Sequence, residues 1–150
     1  MSAGKLGPVL FAYDGSDLAG LAIEEAGQQL EPGRDAIVLT VWRPFGVGFI
    51  PPPEVNFNAA ASDEVMKAAE GTAARGASIA RTAGFRAQSL ALKEPTAWKG
   101  IARVADDLDA SLIVLGSHGK SGVTGVFLGS VAGDVAAHSG RTVLIVHRHT

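Results

Sequence analysis

Short apolar runs alternate along this chain with stretches of helical periodicity, and that alternation limits the fold more than any other feature. Pro8–Tyr13, Ala36–Trp42, Ala87–Leu92, Leu112–Leu115 and Thr142–Val146 are uncharged and too short for buried helices. They read as strands, and the most apolar of them as strands buried on both faces. Between the first two, Ala19, Ala22, Ile23, Ala26 and Leu30 recur at helical spacing after a capping Ser16 or Asp17, and Pro32-Gly33 ends the segment. A long Ala-rich helix is expected from Ser62 to Ala83, capped by Ser62 and closed by Gly84, with Val65, Ala69, Thr72, Gly76 and Ile79 on its inner face. Ile101, Val104, Ala105 and Leu108 mark a third helix. Ser130 to His138 forms a fourth, with Val131 and Val135 inward.

Strands that alternate with helices build a parallel sheet covered on both faces, an α/β class. With right-handed crossovers, five strands settle into a doubly wound sheet in the order 3-2-1-4-5. The length of 150 residues suits one domain over 1–150, with no repeat or linker inside it. In this order the winding reverses between the first and fourth strands, so a ligand crevice is expected outside their carboxyl ends. There the chain carries Asp14-Gly15-Ser16 and Gly116-Ser117-His118-Gly119.

Composition removes several functions. Without cysteine there is no disulfide, thiolate metal site or cysteine nucleophile. A net charge of −2 offers no basic field for nucleic acid or an anionic membrane. No apolar run approaches the ~20 residues that span a bilayer, and the first residues lack a secretory apolar core, so a soluble cytoplasmic chain is expected. The stretch 43–61, with three consecutive prolines and isolated phenylalanines, reads as a lid, an interface or a disordered loop.

The Gly-rich stretch from Gly116 to Gly122, followed by Gly125 and Gly129 before a helix opening at Ser130, suits a polyphosphate. Glycine admits close backbone approach and φ > 0, and a helix N-terminus presents unpaired N–H groups. Lys120 and His118 add positive charge at the same place. Gly119-Lys120-Ser121 is not a P-loop, because the required glycine five residues earlier is Val114. The turn after the first strand carries no dinucleotide fingerprint either. Asp14 with Ser16 does not make the Asp-x-Asp of strand-end phosphatases, and no Gly-x-Ser-x-Gly elbow exists. His147 and His149 alternate like metal ligands but have no third partner in sequence, and His138 falls at a helix C-terminus where it complements the dipole. Trp42 is placed beside the crevice and Trp98 near the sheet edge, with core packing as the alternative for both.

Gly116, Gly119, Gly129 and Ser130 fulfil the pattern Gly, two residues, Gly, nine residues, Gly-Ser, which resembles the ATP-binding motif of the universal stress protein family. The resemblance runs from about Pro8 to His147. It implies an adenine-nucleotide α-hydrolase-like fold binding ATP, with or without Mg, and a nucleotide-dependent regulatory role in stress response, with a slow ATPase or phosphotransferase as the alternative. By the same resemblance Gly119, Gly129 and Ser130 would hold phosphates, Gly116 and Asp14 the ribose, and the backbone near Thr40 and Val41 the adenine. Ser117, His118, Lys120 and Val131, within or beside the motif, complete the candidate set. Two departures stand out: Lys93-Glu94-Pro95 replaces the family's Gly-x-Pro, and Thr142-Val143 replaces Pro-Val. A homodimer through Val143 to Val146 is expected, since that run would lie at the sheet edge with two apolar faces and no charge or proline to protect it. Proline at Leu144 or Ile145 would split it, according to which faces the partner.

Overall fold

Each apolar run becomes a strand in the computed structural model, which describes residues 6–43, 59–119 and 128–148. In chain order the elements are β1 (Val9–Ala12), α1 (Asp17–Gln29), β2 (Asp35–Trp42), α2 (Ala59–Thr82) and β3 (Arg86–Lys93), then α3 (Ala97–Asp107), β4 (Leu112–Gly116), α4 (Ser130–His138) and β5 (Val143–Val146). The five strands form a parallel sheet in the order β3-β2-β1-β4-β5, as the alternation predicts.

Because successive side chains in a strand point to opposite faces, Leu10 and Phe11 feed different cores. Phe11 joins Ile23, Val38 and Phe85 under α1 and α2, with the Phe11 and Phe85 rings edge to face at 5.1 Å. Leu10 joins Leu39, Ile113 and Val135 under α3 and α4. Each of these fully buried side chains contributes on the order of 1.5–3 kcal/mol. α1 starts as its sequence dictates: the Ser16 hydroxyl accepts the Ala19 N–H at 3.1 Å.

α2 departs from its reading in two ways. It begins at Ala59, so Ser62 lies inside the helix and does not cap it. Its buried positions are Ala69, Ala73, Gly76, Ala77 and Ala80, whereas Val65, Thr72 and Ile79 are only half-buried. The inner face is thus rotated from the expected stripe, because small residues let the helix approach the sheet closely: a methyl on Gly76 would lie 2.6 Å from Val38 Cγ1. Val131 and Leu108 also differ, each being 37% exposed where an inward position was expected. Leu108 follows the end of α3, and Val131 faces the cleft described below.

At the other edge, the Thr142 and Val146 carbonyls accept the Ile113 and Ser117 amides, each at 2.9 Å. In a parallel strand both polar groups of one residue point the same way. Leu144 therefore hydrogen-bonds toward β4, while Val143 and Ile145 direct their N–H and C=O outward. No helix among the described residues is long and apolar enough to cross a membrane.

Candidate functional site

The turn after β1 is held by β2 from both sides. The Tyr13 amide donates to the Leu39 carbonyl at 2.9 Å, and the Thr40 hydroxyl, 1% exposed, donates to the Tyr13 carbonyl at 2.8 Å. Asp14 follows at once, and its Oδ1 accepts the Ser16 N–H at 2.9 Å in an Asx turn. Gly15 supplies the positive φ of +85° that this turn needs. The other carboxylate oxygen is thereby aimed at Gly119, where an added methyl would come within 2.7 Å of Asp14 Oδ2.

The chain leaving β4 is pinned in the same manner. Ser117, 2% exposed, donates its amide to Val146 of β5 and accepts the Gly129 N–H at 2.7 Å through its carbonyl. That bond brings the start of α4 beside His118. Gly129 is the N-cap of α4 with no side-chain cap, and the first bond inside the helix runs from the Gly133 N–H to the Gly129 carbonyl at 2.9 Å. The N–H groups of Ser130, Val131 and Ala132 have no acceptor within the helix, and all three residues line the cleft. An anion there would meet oriented donors and the positive end of the helix dipole.

The motif glycines serve space and not left-handed backbone. Gly129 has φ −69°, and positive φ among the described glycines is confined to Gly15, Gly33 and Gly84. A methyl on Gly129 would stand 3.1 Å from the Ser117 carbonyl oxygen, and one on Gly116 would stand 2.9 Å from Leu18 Cγ of α1. Gly116 therefore also permits α1 to pack against the end of β4.

These elements surround a cleft of about 730 Å³ outside the carboxyl ends of β1 and β4, within the range of roughly 300–1,000 Å³ usual for small-molecule sites. Its lining combines the polar Asp14, Ser117, His118, Gly119 and Ser130 with the apolar Leu39 and Val41 of β2 and Trp98 and Ile101 of α3, and Arg43, Glu94 and Asp134 border it as well. Asp14, Gly116, Ser117, His118, Gly119, Gly129, Ser130, Val131 and Val41 are thus brought to one cavity. Thr40 is not, because its side chain points to the other face and anchors Tyr13. Lys120 lies outside the described residues, as does nearly all of the stretch 43–61.

The two tryptophans exchange their expected places. Trp42 is buried away from the cleft, with Lys93 Nζ 5.8 Å from its ring at the end of β3. Trp98 lines the cleft and stacks on His138, with 4.6 Å between ring centroids and 23° between planes. Sequence reasoning missed Trp98 and also Glu94, which lines the same wall and pairs with Arg103 at 3.4 Å. The signal available was Pro95, which halts β3 and starts α3 over the crevice. His138 Nδ1 lies 2.9 Å from the Asp134 carbonyl, the end-of-helix bond its position implied.

A doubly wound α/β domain with a switch-point cleft, lined by polar and apolar residues and bordered by a helix N-terminus, is the class these features define. Residues 5–147 match the universal stress protein family, and the chain belongs to that family. A universal stress protein of Mycolicibacterium smegmatis is 30% identical over 148 residues, covering 93% of this chain and 45% of that relative. The chain spans about half the length of the mycobacterial relatives it matches. Among solved structures, that of the protein MJ0577 superposes with a TM-score of 0.74 at 23% identity, covering 98% of this chain and 99% of the other. A universal stress protein from Archaeoglobus fulgidus in complex with dAMP superposes with a TM-score of 0.64 at 25% identity, covering 95% and 98%.

Proposed function

We propose that the chain binds an adenine nucleotide, ATP foremost, in the switch-point cleft and acts as a nucleotide-dependent regulatory module of the stress response in the cytoplasm. One observation carries this reading: a single cavity joins the uncapped N-terminus of α4 and a glycine-bounded carboxylate to an apolar slot against β2. Those three chemistries suit phosphate, ribose and base. The dAMP complex of the Archaeoglobus relative supports the same ligand class. Asp14 is assigned to the ribose hydroxyls, Gly119, Gly129 and Ser130 to the phosphates, and the Val41 backbone to the base. Ser117 and His118 bound the phosphate end, and Lys120 belongs to the same motif.

Calorimetric titration of ATP, GTP and adenosine, with and without Mg, tests the reading. ATP is expected to bind and GTP to bind more weakly; no heat from any of them refutes it. Phosphate release from bound ATP above the solution rate would favour the slow ATPase instead.

A homodimer through β5 completes the proposal. The strand is an unprotected sheet edge, and Val143 and Ile145 direct their polar backbone outward, available to a second copy across a two-fold axis. Proline at Ile145 is therefore the variant expected to give a monomer in light scattering. Proline at Leu144 would instead break the pairing with β4. A monomeric wild type, or a dimer that survives Ile145→Pro, removes this interface.

A further inference from the structure

Two aromatic residues border the described cleft: Tyr13 packs its ring into the core beside Gly76, and Trp98 is used by nothing in the nucleotide reading. It sits in the first turn of α3, after Pro95, Thr96 and Ala97, and one turn before Ile101 on the same helix face. Ile101 packs with Leu39 in the core cluster against which Trp98 also rests. Trp98 therefore lines the cleft together with the apolar Leu39 and Val41 of β2 and Ile101 of its own helix.

Its ring already has a stacking partner. One side of the indole is stacked by His138, whose own ring is tethered to the Asp134 carbonyl. Lys99 Nζ lies 5.8 Å from the indole centroid, near the outer limit of a cation–π contact, and Lys99 is exposed and long enough to move aside. A rigid aromatic wall costs little side-chain ordering when a flat ligand settles on it. Base-on-aromatic stacking of this kind tolerates any base, because every base has a π-face, and a purine covers more of it than a pyrimidine.

We infer that Trp98 is a specificity-determining residue of the cleft, the aromatic wall against which the purine ring of a bound nucleotide lies. The inference rests on the nucleotide reading and adds to it a residue that separates base-bearing ligands from bare polyphosphate. Alanine at Trp98 should weaken ATP and adenosine by a similar factor, about tenfold, and leave inorganic tripolyphosphate unchanged. Phenylalanine should recover most of the loss.

The experiment titrates ATP, adenosine and tripolyphosphate into wild type, Trp98→Ala and Trp98→Phe by calorimetry. It also follows Trp98 emission in a Trp42→Phe background, where Trp98 is the sole tryptophan. Quenching by adenosine but not by tripolyphosphate is expected. If wild type binds neither ATP nor adenosine, the nucleotide reading itself fails. If wild type binds ATP and Trp98→Ala binds it equally well, Trp98 is not the wall and the nucleotide reading stands. A Trp98→Ala variant that loses tripolyphosphate and adenosine alike, with no recovery in Trp98→Phe, shows a structural role for Trp98 and overturns the inference.

Discussion

Alanine at Gly119 offers a test of how the glycine motif acts. The added methyl would lie 2.7 Å from Asp14 Oδ2, whereas ordinary contact starts near 3.4 Å. The carboxylate must then retreat by about 0.7 Å, since its other oxygen is held by the Ser16 amide and its backbone by β2. A retreat of that size would break the hydrogen bond that a ribose hydroxyl donates to the carboxylate in the proposed complex. Hydrogen bonds to charged groups are worth about 1.5–3 kcal/mol, so adenosine should bind roughly 10- to 150-fold more weakly. The fold should not notice: Gly119 is exposed and has no left-handed φ, and surface changes of this type stay within about 0.5 kcal/mol, about 2 °C in Tm.

The same displacement fixes what happens in combination. If the methyl acts by displacing Asp14, it has nothing left to displace in an Asp14→Ala background, and the two losses should not add. Calorimetry with adenosine on wild type, Gly119→Ala, Asp14→Ala and the double variant completes the cycle. Additive losses would refute the mechanism, and would mean that Gly119 admits the ligand directly and not through Asp14.

Three further outcomes follow from the packing. Alanine at Gly76 would push a methyl to 2.6 Å from Val38 Cγ1 and 2.7 Å from Tyr13 Cδ2, inside a core with no room to yield, and should destabilise the fold by about 1–3 kcal/mol in urea unfolding; an unchanged midpoint would contradict the close approach of α2. Valine at Thr40 keeps the shape but removes the donor to the Tyr13 carbonyl, with an expected loss of about 1–2 kcal/mol in the same assay. Tyr13, the only tyrosine, has its pKa raised above 10.0, first by burial, with Asp14 and Asp17 adding and Arg75 opposing. The unfolded chain then gives up this proton first, so stability holds below about pH 10 and falls as pH rises beyond it; absorbance titration at the phenolate band should show a midpoint above 10, and Tyr13→Phe should flatten the alkaline loss.

The strands, their order and the location of the cleft were legible because each rests on runs of large apolar residues and on handedness rules with few exceptions. α2 was legible only in part. Its inner face is Ala69, Ala73, Gly76, Ala77 and Ala80, and alanine also stands on its outside at Ala68 and Ala74, so hydropathy carries little phase there. The half-buried Val65 and Ile79 drew the expected stripe toward themselves. Val131 misled for the opposite reason: an apolar residue on a short helix reads as core, and in this chain it borders a cavity. The tryptophans could not be sorted, since the side of the sheet that each faces depends on strand phase and on where α3 begins. Pro95 sets that start, and with it the place of Trp98.

Thr40 shows how a motif can point to the right neighbourhood while leaving the role open. The family resemblance puts this stretch of β2 beside the base, and Val41 does line the cleft. One residue earlier, the side chain faces the opposite core, where its hydroxyl fixes the Tyr13–Asp14 peptide just after β1. Because Asp14 hangs from that peptide, Thr40 governs the position of the carboxylate without touching the cavity. Gly119 limits the same carboxylate from across the cleft, and Ser117 ties the loop that carries Gly119 to both β5 and α4. The candidate ribose site is therefore a distance held between two anchored strand ends, β1 and β4. Substitutions that shift either anchor should change affinity even where every cleft-lining side chain is kept.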